Sequence, residues 1–98
     1  MFQYVIHPDA QLELENAFIW YALRSERVAD NFVNQVHQTI FTICSNPNQF
    51  RNYYKDFYEL GVKKFPFSII YIINELQNEI LITSIFHHKR NPKKNINN

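Results

Sequence analysis

The spacing of apolar residues changes at Phe57, and this change constrains the fold more than any other feature of the chain. Before it, apolar residues recur every three or four positions, which is typical of amphipathic helices. After it, Tyr58, Leu60 and Val62 alternate with polar or small residues, which is typical of a strand with one apolar face. Helices are therefore followed by strands, and the two kinds of element must pack on each other.

The first predicted helix begins at Pro8 and Asp9 and runs to about Leu23. Proline lacks the N–H that a first helical turn leaves unpaired, and the Asp9 carboxylate complements the positive end of the helix dipole. The apolar residues form two neighbouring stripes, one with Ala10, Leu14, Ala17, Phe18 and Tyr21 and the other with Leu12, Ile19 and Leu23. Because two stripes exceed what a surface helix needs, we expect packing on two partners, a sheet and a second helix.

A second helix and four strands complete the predicted elements. Ser25 caps the second helix, which ends before Pro47 because the residue preceding a proline avoids helical dihedral angles. Residues 2–7 form a short first strand, residues 46–56 form a polar connection, and three strands follow over residues 57–86. The order β-α-α-β-β-β predicts an α+β fold.

The arrangement of this α+β fold follows from its short connections. The last three strands form an antiparallel meander, because strands joined by short loops pair with each other. The first strand lies at or beside that sheet, and the helical hairpin packs on one face of it. We expect a single domain over residues 1–92 and a flexible tail rich in Asn and Lys over residues 93–98.

Composition excludes several kinds of functional site. One glycine in 98 residues excludes a glycine-rich phosphate loop and a dinucleotide-binding fingerprint, which both need several glycines. One cysteine, Cys44, excludes an internal disulfide and a multi-cysteine zinc site. We therefore expect no cofactor and no metal. Because the chain has neither a long apolar run nor a basic leader, we also expect no membrane association and a cytoplasmic location.

Charge is distributed unevenly along the chain. Residues 1–45 hold five acidic and two basic side chains, whereas residues 46–98 hold four acidic and eight basic ones. A near-neutral chain can thus have a basic face, which can serve nucleic acid, an acidic protein or solubility alone.

The densest basic segment is His87-His88-Lys89-Arg90, at the end of the last predicted strand. Side chains alternate along a strand, so His87 and His88 point to opposite faces and cannot bind one metal together. One of them could act as a general base, since histidine titrates near neutrality. We favour the simpler interpretation, in which one histidine caps the core and the other is solvated.

A second basic pair, Lys63-Lys64, precedes the Phe-Pro-Phe segment. On a continuing strand these two lysines also point to opposite faces. Either Lys64 extends past the edge of the sheet, or both lysines join Arg90 in one basic surface that meets phosphates or carboxylates.

Several segments together carry a resemblance to a known family. They are Tyr4-Val5, Ala10…Leu14…Ala17…Trp20-Tyr21, Ala29 with Phe32, Asn46-Pro47, Lys64-Phe65-Pro66-Phe67-Ser68-Ile69-Ile70-Tyr71 and Ile85-Phe86-His87-His88-Lys89-Arg90-Asn91-Pro92. In this order they resemble the RelE/ParE superfamily of bacterial type II toxin–antitoxin toxins, often described as plasmid stabilisation proteins. The Phe-Pro-Phe and His-x-x-Arg-Asn-Pro segments are closer to the ParE branch.

The resemblance implies a toxin that is neutralised by a cognate antitoxin and that inhibits DNA gyrase by binding rather than by catalysis. The alternatives are a ribosome-dependent endoribonuclease that cleaves mRNA, and a non-toxic member that only binds its antitoxin. Sequence-specific DNA binding by the toxin alone is not expected. The surface for the target or partner would comprise Lys63, Lys64, His87, His88, Lys89 and Arg90. RNA cleavage, if present, would use His87, His88 and Arg90.

One departure from the family pattern favours gyrase over RNA. Ribonuclease members of the superfamily commonly carry an arginine on the strand that corresponds to Phe67–Ile73 here. At the best-matching position this chain has Ser68. Cleavage by a ribose 2′-hydroxyl needs positive charge to stabilise the developing phosphorane, and a serine has none. The resemblance therefore implies weakened RNA cleavage.

Overall fold

The structure is a computed structural model that describes residues 1–89. It contains β1 (Gln3–Ile6), α1 (Pro8–Ala22), α2 (Glu26–Ser45), a 3₁₀ turn (Pro47–Gln49), β2 (Arg51–Tyr54), β3 (Phe57–Gly61), β4 (Phe67–Asn74) and β5 (Glu79–His87). The five strands form one sheet in the order β1-β5-β4-β3-β2. Strand β1 runs parallel to β5, and every other neighbouring pair is antiparallel. The predicted α+β fold, with its helical hairpin and antiparallel meander, is confirmed. Among the described residues no helix is both long and apolar enough to cross a bilayer.

Strand β2 was not predicted, because residues 46–56 read as a polar connection. Arg51 pairs with Glu59 and Asn52 pairs with Tyr58, after which the register shifts. The Asn52 side-chain amide donates to the carbonyl oxygens of Lys55, at 2.8 Å, and of Phe57, at 3.3 Å. These bonds close the β2–β3 turn. Residues 51–54 form a strand because β3 offers them a hydrogen-bonding partner, although their own side chains do not alternate in polarity.

Both helices begin with a side-chain cap. The Nδ1 atom of His7 accepts the Asp9 N–H at 3.0 Å, so a histidine supplies the cap just ahead of Pro8. The Ser25 hydroxyl accepts the Val28 N–H at 3.3 Å, as the sequence predicts. Each cap satisfies one of the N–H groups that a first helical turn leaves without a partner.

The core lies between the helical hairpin and one face of the sheet. Helix α2 contributes Phe32, Val36, Ile40 and Ile43, which are fully or almost fully buried. Helix α1 contributes only Ala10 and Ala17 as buried residues. It packs on both β5 and α2, as expected, but through one stripe, and its second stripe lies in solvent. Small residues let α1 approach the sheet closely, so one stripe is enough to fill the space.

The β4–β5 pair is the centre of the sheet. Residues 67–71 of β4 are all buried, so this part of the strand is covered on both faces. Opposite the step from Ile70 to Tyr71 the register shifts, so Thr83 has no direct partner on β4. Its hydroxyl instead donates to the Ile70 carbonyl at 3.1 Å. This β-bulge bends β5 locally and keeps the alternation of the core side chains on both sides of it.

A buried hydrogen bond ties the centre of the sheet to the end of α2. Tyr71 is completely buried, and its hydroxyl donates to the carbonyl oxygen of Pro47 at 2.7 Å. Burial raises the pKa of the Tyr71 hydroxyl well above its ordinary value, with a smaller contribution from Tyr58 stacked beside it. The neutral phenol is therefore the form that the fold stabilises.

We predict that Tyr71→Phe lowers the free energy of unfolding by about 1–2 kcal/mol, because the buried Pro47 carbonyl loses its donor. Urea denaturation of the wild type and the variant at neutral pH measures the difference. Tyr54→Phe is the matched control, since Tyr54 is exposed and its variant should match the wild type.

The same variant has an expected pH dependence. A group whose pKa is raised by folding contributes stability below its unfolded pKa and loses it as the pH rises through the folded pKa. The difference in the free energy of unfolding between the wild type and Tyr71→Phe should therefore become smaller above about pH 10, the ordinary pKa of tyrosine. A constant difference at alkaline pH would mean that the hydroxyl contributes through packing rather than through its proton.

Candidate functional site

Two chain segments meet at one end of the central β4–β5 pair. Strand β3 ends at Gly61, and a turn over residues 62–66 leads into β4. The backbone N–H of His88 donates to the carbonyl oxygen of Pro66 at 2.8 Å, which joins this turn to the end of β5. The cationic and titratable residues gathered there are termed the basic end: Lys63, Lys64, His87, His88 and Lys89.

The two lysines do not lie on a strand, so the prediction that they alternate across a sheet is wrong. The Val62 N–H donates to the Phe67 carbonyl at 2.9 Å, and the chain turns immediately afterwards. Lys64 has a φ of 70°, a left-handed conformation that strand residues do not adopt. The turn leaves both Lys63 and Lys64 exposed, and both ammonium groups belong to the surface of the basic end.

His87 lies on the face of the sheet that the helices cover. It pairs with Phe67 across β4–β5, and the two rings contact edge to face with centroids 5.1 Å apart. The Nδ1 atom of His87 accepts the backbone N–H of Lys89 at 3.0 Å. His87 is half-buried and lines a groove of about 210 Å³ together with Glu13 and Asn16 of α1. It is the histidine that caps the core.

His88 lies on the opposite face and is exposed. Its Nε2 atom is 2.8 Å from the hydroxyl oxygen of Ser68, and its ring lies edge to face with that of Phe86, with centroids 6.1 Å apart. Ser68 itself is only 3% exposed. The hydrogen bond holds the imidazole in one orientation at the surface, beside the exposed lysines. Sequence reasoning missed this contact because 20 residues separate the two partners and only the β4–β5 register brings them together.

A carboxylate on α1 closes the free edge of β5. Strand β1 pairs with β5 only as far as Ile82, so within the described residues the following part of β5 has β4 on one side and no strand on the other. Glu13 takes the strand's place: one oxygen, Oε1, accepts the Ile85 N–H at 2.8 Å and the Ser84 hydroxyl at 3.0 Å. The apolar spacing of α1 does not single out Glu13, because the partners of its carboxylate lie 71 and 72 residues away in the sequence.

The exposed cations of the basic end are Lys63, Lys64 and Lys89. Within residues 1–89 no group of three or more His, Cys, Asp or Glu side chains is placed to hold a metal ion. His87 and His88 point to opposite faces, as the alternation along a strand predicts. Arg90, the remaining predicted site residue, and the predicted tail over residues 93–98 lie outside the described residues.

Comparison with known proteins identifies the fold and the family. A family model described as the ParE toxin of the type II toxin–antitoxin system parDE matches residues 4–92. No curated protein matches the chain.

Solved structures of two toxin–antitoxin systems are similar to the chain. A chain of the chromosomal ParDE system of P. aeruginosa is 19% identical with a TM-score of 0.76, and the match covers 89% of this chain and 96% of that one. The isolated E. coli RelE toxin is 12% identical with a TM-score of 0.63, covering 92% of this chain and 87% of that one. A chain of the intact E. coli RelBE toxin–antitoxin complex is 12% identical with a TM-score of 0.62, and the match covers 92% of this chain and 100% of that one.

We predict that Glu13→Ala lowers the free energy of unfolding by about 1–3 kcal/mol, since the Ile85 N–H and the Ser84 hydroxyl lose their acceptor. Glu13→Gln retains an acceptor oxygen and should cost less. Hydrogen exchange at the Ile85 amide reports the contact directly and should be faster in Glu13→Ala than in the wild type.

The matched control is Glu15→Ala, two residues along the same helix and exposed to solvent. It should leave exchange at Ile85 unchanged. If exchange at Ile85 were equally slow in Glu13→Ala, the carboxylate would not be the partner that protects this edge.

Proposed function

The chain belongs to the ParE toxin family of type II toxin–antitoxin systems, and from this premise we propose that it inhibits DNA gyrase and is neutralised by a cognate antitoxin. On this proposal it acts by binding and not by catalysis. Its place of action is the cytoplasm, where gyrase and newly made antitoxin both occur.

The environment of Ser68 is the observation that carries the proposal. Ser68 occupies the β4 position at which the family resemblance implies an arginine in ribonuclease members. Its side chain is buried, neutral and engaged with His88. A hydroxyl in this setting cannot supply the positive charge that a phosphorane transition state requires. The basic end therefore lacks a central part of a cleavage site but keeps the features of a binding surface.

The cations of the basic end suit recognition of an acidic surface. Lys63, Lys64 and Lys89 are all exposed, and Arg90 follows Lys89 in the sequence. Charges of one sign that are gathered in one place speed the encounter with a partner of opposite charge and orient it. We assign contact with the target to this surface.

The antitoxin would neutralise the toxin by covering the same surface. A segment that is acidic or amphipathic fits the chemistry, because it can pair with the lysines and also cover apolar surface beside them. The P. aeruginosa match comes from a ParDE system, and one E. coli match comes from a RelBE toxin–antitoxin complex, which supports an antitoxin as the partner here.

A second candidate function, cleavage of mRNA on the ribosome, is favoured by one observation. The His88 imidazole is exposed and held in a fixed orientation by Ser68, close to the lysines of the basic end. An imidazole in this position could transfer a proton to or from RNA. The two functions differ in whether His88 is essential: an RNA-cleaving site needs its ring nitrogen, whereas a charged binding surface depends mainly on the lysines.

We predict that controlled expression without the antitoxin arrests growth and induces the DNA damage response, as loss of gyrase activity would. Lys89→Ala combined with Arg90→Ala should weaken target binding by about tenfold or more and relieve the arrest, because two charges of the contact surface are lost. Growth curves, a damage-response reporter and the melting temperature should be measured on the same variants.

Two control variants separate the alternatives. Lys55→Ala removes an exposed lysine in the β2–β3 turn and should leave toxicity unchanged. His88→Gln should remain toxic if the protein binds gyrase, but should be inactive if it cleaves RNA. Arrest with cleaved mRNA and no damage response would replace the gyrase proposal with the ribonuclease one, and absence of arrest would indicate a member that only binds its antitoxin.

A further inference from the structure

A groove between α2 and β3 lies beside the basic end, and Lys63 belongs to both. The groove has a volume of about 250 Å³, and its walls come from α2, from Phe50 and from the last residues of β3. Folded proteins bind ligands at concave sites of this kind, where a few polar groups are placed among apolar ones. At Lys63 the basic end therefore continues from an open surface into a concave site.

The α2 wall of the groove is polar but has no charge. It is made by Gln35, Gln38, Thr39 and Thr42, whose spacing puts them on one face of the helix, beside the buried apolar stripe. No Asp, Glu, Lys or Arg occurs anywhere in residues 31–50. Because α2 brings neither acid nor base to this wall, a charge from another element sets the sign of the field in the groove.

The side-chain amides of Gln35 and Gln38 are the groups of this wall that can still donate hydrogen bonds. The hydroxyls of Thr39 and Thr42 already donate to the backbone carbonyl oxygens of Gln35 and Gln38, at 2.7 and 3.0 Å. Neither side-chain amide makes a hydrogen bond within residues 1–89, although Gln35 is half-buried. A ligand that offers acceptor oxygens would satisfy these N–H groups.

The opposite wall is apolar and ends at a lysine. Phe50 and Leu60 are half-buried and line the groove, and Lys63 adds one positive charge that has no ion pair within the described residues. Glu59, the nearest acid along β3, is paired with Arg51 at 3.6 Å. The groove thus combines one cation, two amides and an apolar wall, and no acidic side chain lines it.

We propose that this groove receives a glutamate side chain of the antitoxin. The carboxylate pairs with the Lys63 ammonium and accepts hydrogen bonds from the Gln35 and Gln38 amides. The two methylene groups lie against Phe50 and Leu60, which removes apolar surface of both partners from water. The inference rests on the proposed function for the identity of the partner, and it adds the chemistry of one contact to the basic end.

A carboxylate fits this groove better than a phosphate group does. A glutamate side chain carries one negative charge, which the single ammonium of Lys63 balances. A phosphorylated side chain carries about −1.5 to −2 charges at pH 7 and is typically recognised by a cluster of arginines. In glutamate the charge also follows directly on aliphatic carbon, which matches the apolar wall of Phe50 and Leu60. The groove therefore favours an acidic protein segment.

The antitoxin is the source of this side chain because the groove continues the surface that it must cover. A segment that pairs with the exposed lysines of the basic end reaches the groove through Lys63, which belongs to both. Complementary charge fixes the register of such a segment, and a concave site selects one side chain of it.

The test is an NMR titration of the isotope-labelled full chain, made by cell-free translation to avoid toxicity to a host. The probe is the α-amide of N-acetylglutamate, whose one charge is the side-chain carboxylate. It should shift the resonances of the Gly61 backbone amide and of the Gln35 and Gln38 side chains, which line the groove. We expect a dissociation constant of about 1 mM for a ligand of this size. The neutral α-amide of N-acetylglutamine should bind at least about tenfold more weakly.

Lys63→Met and Lys64→Met are a matched pair of variants. Both remove an exposed lysine from the same turn, but only Lys63 lines the groove. Lys63→Met should weaken binding of the glutamate probe at least about tenfold, and Lys64→Met should weaken it by less than about twofold. Gln38→Ala removes one donor at an exposed helix position and is the second disrupting variant if circular dichroism shows that Lys63→Met is not folded.

The assignment to the antitoxin is tested by competition. Once the cognate antitoxin saturates the toxin, the glutamate probe should cause no further shift at Gly61 or at the Gln35 and Gln38 side chains. A probe that still binds the groove in the complex would overturn the antitoxin as the source of the side chain.

Two other results would overturn the choice of site or ligand. Equal weakening in Lys63→Met and Lys64→Met would assign the probe to the open surface of the basic end instead of the groove. Tighter binding of inorganic phosphate than of the glutamate probe, at the same resonances, would replace the carboxylate with a phosphate. None of these measurements depends on growth arrest, so failure of the gyrase proposal is detected separately.

Discussion

The antiparallel pairing of β4 with β5 is the contact on which the rest of the structure depends. Eight register pairs join these two strands, and the buried side chains of both form the floor of the core. Strand β3 pairs with one side of it and β1 with the other, the helices pack on one face, and β2 joins the sheet through β3. Because side chains alternate along a strand, a shift of one residue in this register would move the core residues to the opposite face.

The pair also determines where the functional groups of the protein lie. Its register places Phe67 beside His87 on the helical face and Ser68 beside Phe86 on the other face. His88 follows directly and contacts Ser68 across the strands. The turn that precedes β4 is held to the end of β5 by a backbone hydrogen bond, so the lysines and histidines meet at one end of the sheet. Function and stability thus rely on the same register.

Two polar side chains satisfy backbone groups that strand pairing leaves without a hydrogen-bond partner. Tyr71 supplies a donor to a carbonyl at the end of α2, and Glu13 supplies an acceptor along the part of β5 that β1 does not cover. Helix α1 therefore has three different sides. One presents small residues to the sheet, one carries the carboxylate that closes its edge, and the outer one carries Leu12, Ile19 and Leu23 in solvent.

The sequence alone determined the elements that depend on neighbouring residues. The helical spacing before Phe57, the alternation after it and the cap at Ser25 are local patterns, and the helices, the meander and the ParE branch of the RelE/ParE superfamily predicted with them are confirmed. Tertiary structure alone decided strand β2, the turn that carries Lys63 and Lys64, the Ser68–His88 contact and the role of Glu13. These depend on partners 20 or more residues away, or on a neighbouring strand that provides hydrogen bonds to a segment with no pattern of its own. The spacing of apolar residues predicts which side chains share a face of a helix, but only packing decides whether that face is covered. Ala10 and Ala17 let α1 approach the sheet closely through one face, so the stripe of Leu12, Ile19 and Leu23 stays exposed.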